Sequence, residues 1–302
     1  MSDSNDTIKA PYRIIDTVTG EVVGKIGRKV PPGREEAGKP AGGLSTHHKC
    51  GKSEKSNEKK GTLTVYTEGS LVKVSKNRIN PHADQKRDWV RGKVKGFSKA
   101  SRRRLQRKLA KLDKREIPVF VTLTYPAEWP EDPEDWKRHL KNFIHRLAYK
   151  YPSACGVWKL EDQKRGAPHY HLLVWGVPYD ELFMFVKKKW YQVVGSGDIN
   201  HLKAGTRVEK IRSWRGVMSY VSKYIAKITE PVEGWEDVGR YWGVFMRDNM
   251  PYSRVEIFEI PQEKVVLAMR YFRRYAGLKS RDYASLSIYI NNPDRWKKAL
   301  LC

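Results

Sequence analysis

Apolar and polar residues alternate from Thr62 to Val74, TLTVYTEGSLVKV, around a Glu-Gly-Ser turn, which is the two-residue period of a β-hairpin. The period then changes. Leu105, Leu109 and Leu112 recur at i, i+4 and i+7, so the spacing predicts a helix over about 98–115, with Ser98 or Ser101 as its N-cap. VFVTLTYP, residues 119–126, is dense in β-branched and aromatic side chains, reads as a buried strand, and is stopped by Pro126. Asp132, Pro133 and Glu134 open the next segment as a helix start does, and Trp136, Leu140, Phe143, Ile144 and Leu147 carry helical spacing to about Lys150. Two strands follow, CGVWKLED at 155–162 and HYHLLVWG at 169–176, joined by the short turn QKRGAP as an antiparallel pair. A helix from Asp180 to about Val194, a strand near Thr206 to Ile211 and a helix from Trp214 to Lys227 complete this stretch. Beyond Glu230 come strands at YWGVFM and SRVEIFEI, a helix from Pro261 to about Tyr275 and a short last helix at Pro293 to Leu301.

Residues 1–60 show no such sustained periodicity. They mix Gly, Pro, Ser and charge, as in PPGREEAGKPAGG, and are expected to form a mobile polar and basic arm. The whole pattern is α+β, with helices flanking a central antiparallel sheet. It divides the chain into the arm, a folded domain over 61–229 that includes the basic helix 98–115, and a C-terminal α+β extension over 230–302.

Charge adds the first hint of a partner. The 302 residues hold 59 Lys and Arg against 34 Asp and Glu, a formal net charge of +25. A solvated polyanion is what such a surface attracts most readily, so nucleic acid is the expected partner. The basic helix is the densest region: between Arg91 and Arg115 only Asp113 is acidic, and Arg102, Arg103, Arg104 and Arg107 are candidate phosphate contacts. No run approaches the roughly 18 apolar residues of a spanning helix, and the N-terminus MSDSNDTIKAPYR has no secretory pattern, so no membrane role and a cytoplasmic location are expected. Cys50, Cys155 and Cys302 are scattered and odd in number, which argues for plain thiols rather than disulfides or a zinc ribbon. His47, His48 and Cys50 lack a fourth ligand and have flexible flanks.

Candidate chemistry concentrates in two places. His169 and His171 flank Tyr170 in a strand, and because strand side chains alternate, both imidazoles project from one face. Glu161 lies near the end of the preceding strand, and a hairpin through QKRGAP brings its carboxylate back beside them. Two imidazoles and a carboxylate leave open positions on a catalytic divalent ion. In the helix SWRGVMSYVSKYIAK, Tyr220 and Tyr224 are four apart, as are Lys223 and Lys227, so each pair shares a helix face. A tyrosine hydroxyl, with its ordinary pKa of about 10, needs a nearby cation to act as a nucleophile, and Lys223 and Lys227 are candidates to supply it or to meet a phosphate. Taken alone, packed histidines and an amphipathic helix account for each feature. Thr122 and Thr124 either line the site or are simply β-formers. Arg165 in the turn, and Arg207, Lys210, Arg212 and Arg215 before the tyrosine helix, are further candidates for phosphate contact.

Together, VFVTLTYP, GAPHYHLLVW and YVSKYIAK resemble the three motifs of the HUH endonucleases, in particular the rolling-circle replication initiators of single-stranded DNA phages and plasmids. The tyrosines follow the histidines by about fifty residues, as in initiators, and the YxxxY spacing resembles the two-tyrosine group. The resemblance covers about residues 117–229. It implies a ferredoxin-like or RNA-recognition-like palm with the histidine strand in the middle of the sheet. It implies Mg2+ or Mn2+ held by His169, His171 and Glu161, attack of Tyr220 or Tyr224 on single-stranded or hairpin origin DNA, and a 5′-phosphotyrosine with a free 3′-hydroxyl. No GxxxxGK[ST] loop occurs, so unwinding is expected from a host helicase and extension from a DNA polymerase. A transposase of the same chemistry and a non-catalytic nucleic-acid-binding regulator are the alternatives.

Overall fold

The strands and helices are those of an α+β protein with two antiparallel sheets flanked by helices. The computed structural model describes residues 12–15, 22–26, 60–76, 94, 96–221, 235, 238–277, 284–290 and 292–301. Two compact units result, one from residues 1–65, 71–80 and 255–302 and the other from 66–70 and 81–254. No helix among the described residues is long and apolar enough to cross a membrane.

The first unit is a six-stranded sheet built from β1 (Tyr12–Ile15), β2 (Val22–Ile26), β3 (Lys60–Tyr66), β4 (Leu71–Lys76), β10 (Val255–Pro261) and β11 (Ser285–Tyr289), in the order β10-β3-β4-β11-β1-β2. Leu63 and Val65 of β3, Val72 and Val74 of β4, and Leu286 and Ile288 of β11 form its apolar face. Val265, Ala268, Met269 and Phe272 of α6 (Gln262–Ala276) cover that face. Three expectations change here. The hairpin at 62–74 forms, yet it groups with residues 255–302, because its apolar face is matched by β11 and α6. The N-terminal arm contributes two strands, β1 pairing with β2 and β11. β11 was not expected at all.

The second unit is a five-stranded sheet of β5 (Val119–Thr124), β6 (Cys155–Asp162), β7 (Pro168–Trp175), β8 (Thr206–Lys210) and β9 (Trp242–Phe245). Their order is β8-β5-β7-β6-β9, so β7, the histidine strand, is third of five. The hairpin β6–β7 closes through residues 163–167, with Gln163 N–H donating to Ala167 C=O at 2.9 Å and Gly166 N–H to Gln163 C=O at 2.8 Å. Gly166 sits at φ +82°, a conformation that side-chain-bearing residues rarely adopt.

Helices α2 (Pro133–Lys150) and α3 (Tyr179–Val194) cover one face of this sheet. Asp132 caps α2, its carboxylate accepting from Glu134 N–H at 2.8 Å, and Pro133 stands in the first turn where no N–H is needed. Trp136, Leu140, Phe143 and Leu147 of α2 meet Leu182, Phe185, Val186 and Trp190 of α3 in the same core as Val121, Leu123, Tyr170, Leu172 and Leu160 of the sheet. Helix α1 (Lys99–Leu109) starts at the predicted cap, with Ser98 Oγ accepting from Ser101 N–H at 3.2 Å. It ends sooner than the leucine spacing suggested: Leu112 is buried instead through an isolated bridge to Tyr252. The short helix α4 (Ile199–Ala204) was not expected either, since six residues carry too little periodicity to read. Helix α5 (Trp214–Tyr220) begins at Ser213, whose Oγ accepts from Gly216 N–H at 3.3 Å. Residues 222–227 of that predicted helix lie outside the described residues, as do His47, His48 and Cys50.

Candidate active site

Strand registry assembles the site on the sheet face opposite α2 and α3. Thr124, His169 and Glu161 are direct neighbours across β5, β7 and β6, and Thr122, His171 and Lys159 form the next row. Residues two apart on a strand share a face, so all six side chains emerge together. Each threonine lies against the Nδ1 of its own histidine, Thr122 Oγ1 at 3.3 Å from His171 and Thr124 Oγ1 at 3.1 Å from His169. The rings are 4.6 Å apart between centroids and nearly perpendicular. With Nδ1 turned to the threonines, the Nε2 edges face away from β5. That of His171 lies 3.3 Å from Glu161 Oε2, and that of His169 has no hydrogen-bond partner among the described residues. A hydroxyl suits the Nδ1 position because it can either donate or accept, and so serves whichever imidazole tautomer is present.

Electrostatics favour a neutral His169 and an ionised Glu161. Burial, together with the neighbouring His171, lowers the His169 pKa from 6.5 to about 4. Burial pushes the Glu161 carboxyl up, but hydrogen bonds and charge from His171 and Lys159 outweigh it and leave the pKa below the ordinary carboxylate value. Lys159 is wholly enclosed at 0% exposure, its Nζ 2.6 Å from Glu161 Oε1 and 4.7 Å from the centre of the Phe97 ring. Sequence reading did not single it out. The signal was present, since Lys159 and Glu161 are two apart in one strand, but a lysine is ordinarily solvated and nothing local announces its burial.

Tyr220 joins this face through aromatic contacts. Its ring lies 4.5 Å from Phe120, which in turn stacks 5.4 Å from His171. Phe120, two residues before Thr122 on β5, is the spacer between the α5 tyrosine and the histidine pair. Lys223, Tyr224 and Lys227 lie outside the described residues.

The predicted arginines separate into groups. The start of α1 comes over the site face, since Phe97 covers Lys159 and Ser101 Oγ accepts from Trp242 Nε1 at 2.8 Å. Trp242 is itself Lys159's register partner on β9. Arg104 is exposed there, and Arg102, Arg103 and Arg107 are half-buried. Arg207 is the register partner of Thr122, exposed, with Glu209 Oε1 at 2.7 Å. Arg212 and Arg215 are exposed on either side of Ser213, at the entry to α5. Arg165 is placed differently. It donates to Tyr125 C=O at 2.6 Å, Ala127 C=O at 3.2 Å and Gln163 Oε1 at 3.1 Å, and lies over Trp129, so it ties the β6–β7 turn to the segment after β5.

The donor chemistry of the centre fits a divalent ion: two imidazoles held by hydroxyl partners, and one carboxylate. Among the described residues no group of three or more His, Cys, Asp or Glu side chains is disposed to hold an ion as it stands. The two oxygens of Glu161 are engaged by Lys159 and His171. His201, also buried, belongs to the framework: its ring nitrogens meet Ser196 Oγ at 2.8 Å and Thr124 C=O at 2.9 Å, fastening α4 to the end of β5.

Comparison with known proteins gives an independent view of this stretch. A protein of Xylella fastidiosa (strain 9a5c) that carries the name "Putative replication protein" is 28% identical to this chain over 199 residues, covering 60% of this chain and 65% of that protein. The chain thus spans a little under two thirds of that relative's length. Residues 118–229, the stretch that holds the histidine rows and both tyrosines of the predicted pair, match the family model of the replication-associated protein ORF2.

Proposed function

We propose that this protein initiates replication by nicking one strand of single-stranded or hairpin origin DNA and joining itself to the 5′ end through Tyr220 or Tyr224. The observation that carries this reading is the registry of Thr122, Thr124, His169, His171 and Glu161 on one sheet face, with Tyr220 on that face through Phe120. The similarity to replication-associated proteins supports an initiator over a transposase or a regulator, because it spans the same residues.

The phenolic oxygen attacks the phosphorus in line and the bond to the 3′ oxygen breaks. The phosphate stays on tyrosine as a 5′-phosphotyrosine, and the 3′ oxygen takes up a proton and leaves as a hydroxyl. One phosphodiester replaces another, so no ATP is consumed. A divalent ion, Mg2+ or Mn2+, held by His169, His171 and Glu161, would supply Lewis-acid stabilisation of charge on the phosphate oxygens. Thr122 and Thr124 keep both imidazoles turned with Nε2 outward. Lys223 and Lys227 favour the phenolate or meet the leaving oxygen. Arg102, Arg103, Arg104, Arg107, Arg207, Arg212 and Arg215 hold the backbone phosphates. Two tyrosines one helical turn apart can alternate, one cutting the regenerated origin while the other still holds the first end. A host helicase and a DNA polymerase would unwind the duplex and extend the 3′-hydroxyl.

The test is a covalent adduct on a denaturing gel, from a labelled origin oligonucleotide and Mn2+. Tyr220→Phe with Tyr224→Phe should abolish the adduct, and as much adduct as wild type would refute the tyrosine assignment. His169→Ala should remove cleavage but keep salt-sensitive DNA binding, which rests on the basic surface.

A further inference from the structure

Lys159 needs an explanation that the nicking reaction does not give. It is enclosed between β6, Phe97 and the histidine rows, and no role in attack or departure falls to it. Its ammonium lies against the very carboxylate that the site reading assigns to a metal, at 2.6 Å from Oε1, while Oε2 faces His171. A buried carboxylate without a counter-charge is costly, and so is a buried ammonium. Each is tolerable here because of the other. A divalent ion arriving at the histidines would draw on the same carboxylate and meet a cation already beside it.

We propose that Lys159 is a built-in rival of the divalent ion for Glu161: a positioning residue that holds the carboxylate in place and balances its charge when no ion is bound, and weakens ion binding as a consequence. This rests on the reading of His169, His171 and Glu161 as a metal centre. It implies a site that is assembled in advance and takes its ion weakly and reversibly.

The experiment titrates Mn2+ into the full-length protein without DNA and follows free Mn2+ by electron paramagnetic resonance, alongside thermal melts with and without the ion. Lys159→Met should tighten Mn2+ binding by roughly tenfold, since a neighbouring positive charge is removed. Its metal-free Tm should fall by several degrees because Glu161 is left unpaired, and saturating Mn2+ should restore more of that loss than it adds to wild type. Lys159→Arg keeps the charge and should stay within about threefold of the wild-type affinity. Adding Glu161→Gln to Lys159→Met should cancel both the gain in affinity and the loss in Tm. Lys159→Gln, which keeps a polar group against Glu161, gives the same affinity readout should the methionine variant not fold. Unchanged or weaker Mn2+ binding in Lys159→Met or Lys159→Gln, with wild type binding normally, overturns the proposal alone. If neither wild type nor these variants binds Mn2+, the metal reading of the site falls, and this inference with it.

Discussion

The two faces of the five-stranded sheet are made by the same strands and are chemically unlike. On the α2/α3 face, Val121, Leu123, Leu160, Tyr170 and Leu172 meet helix side chains in an apolar and aromatic core, where Trp190 donates from Nε1 to Thr124 C=O at 2.8 Å. On the other face, Thr122, His171, Lys159 and Glu161 are buried too, yet each is polar. Burial therefore does not distinguish the faces. What distinguishes them is that these four polar side chains are matched by neighbours across the strands or along one, Thr122 to His171 and Lys159 to Glu161, which is the condition for burying such groups at tolerable cost. The first face holds the sheet together. The second spends stability on a preset arrangement of nitrogen and oxygen atoms.

That contrast can be broken from either side. The largest effect is expected from His171→Ala, with adduct formation falling by about a thousandfold or more, the scale of losing a group that stabilises transition-state charge. Its cost in stability should be below that of a change on the helix face. Trp190→Ala should do the reverse: unfolding in urea should show a loss of about 3 kcal/mol or somewhat more from the cavity and the lost hydrogen bond to the Thr124 carbonyl, which His201 still meets, with nicking per folded molecule little changed. Equal activity losses in the two variants would erase the distinction between the faces. Thr122→Val, isosteric but without the hydroxyl, should weaken Mn2+ binding by about tenfold, the lower range for removing an outer partner of a ligating histidine. Thr64→Val in the other sheet should leave it unchanged.

The smallest effect concerns pH. His169 has a folded pKa of about 4 against 6.5 unfolded, so between those values the unfolded chain binds the extra proton. Its neutral form thus contributes stability above pH 6.5 that is lost as pH falls through 4. Melts of the metal-free protein should show His169→Asn losing less stability than wild type over that window, by roughly 1 to 2 kcal/mol after allowance for the partial exposure of the ring. A wild-type slope no steeper than that of the variant would show that this imidazole titrates as in water.

The sequence was most informative where local period and tertiary burial agree. β6 and α3 fall within a residue of their predicted bounds, and α2 begins at its expected cap, because strand alternation, a Pro in the first turn and a repeated apolar stripe are properties of adjacent residues. His169 and His171 had to share a face for the same reason, and Glu161 had to return beside them once QKRGAP closed a hairpin. Other features are not local. The hairpin at 60–76 has the right period for either sheet, and only the matching apolar surface of β11 and α6 assigns it to the N- and C-terminal unit. The leucine stripe of α1 runs to Leu112, but a bridge to Tyr252, 140 residues away, takes that residue out of the helix.

The site divides in the same way. Which residues carry nitrogen, oxygen and phenol was determined by the sequence, and so was the fact that each motif presents them on one side. That Thr122 and Thr124 stand opposite His171 and His169, that Phe120 separates Tyr220 from the imidazoles, and that Lys159 is the partner of Glu161 were decided by strand order and register, which join β5 to β7 across more than forty residues of chain. Registry is a long-range property: it is set by which faces bury together, and no residue type or spacing within one strand encodes it.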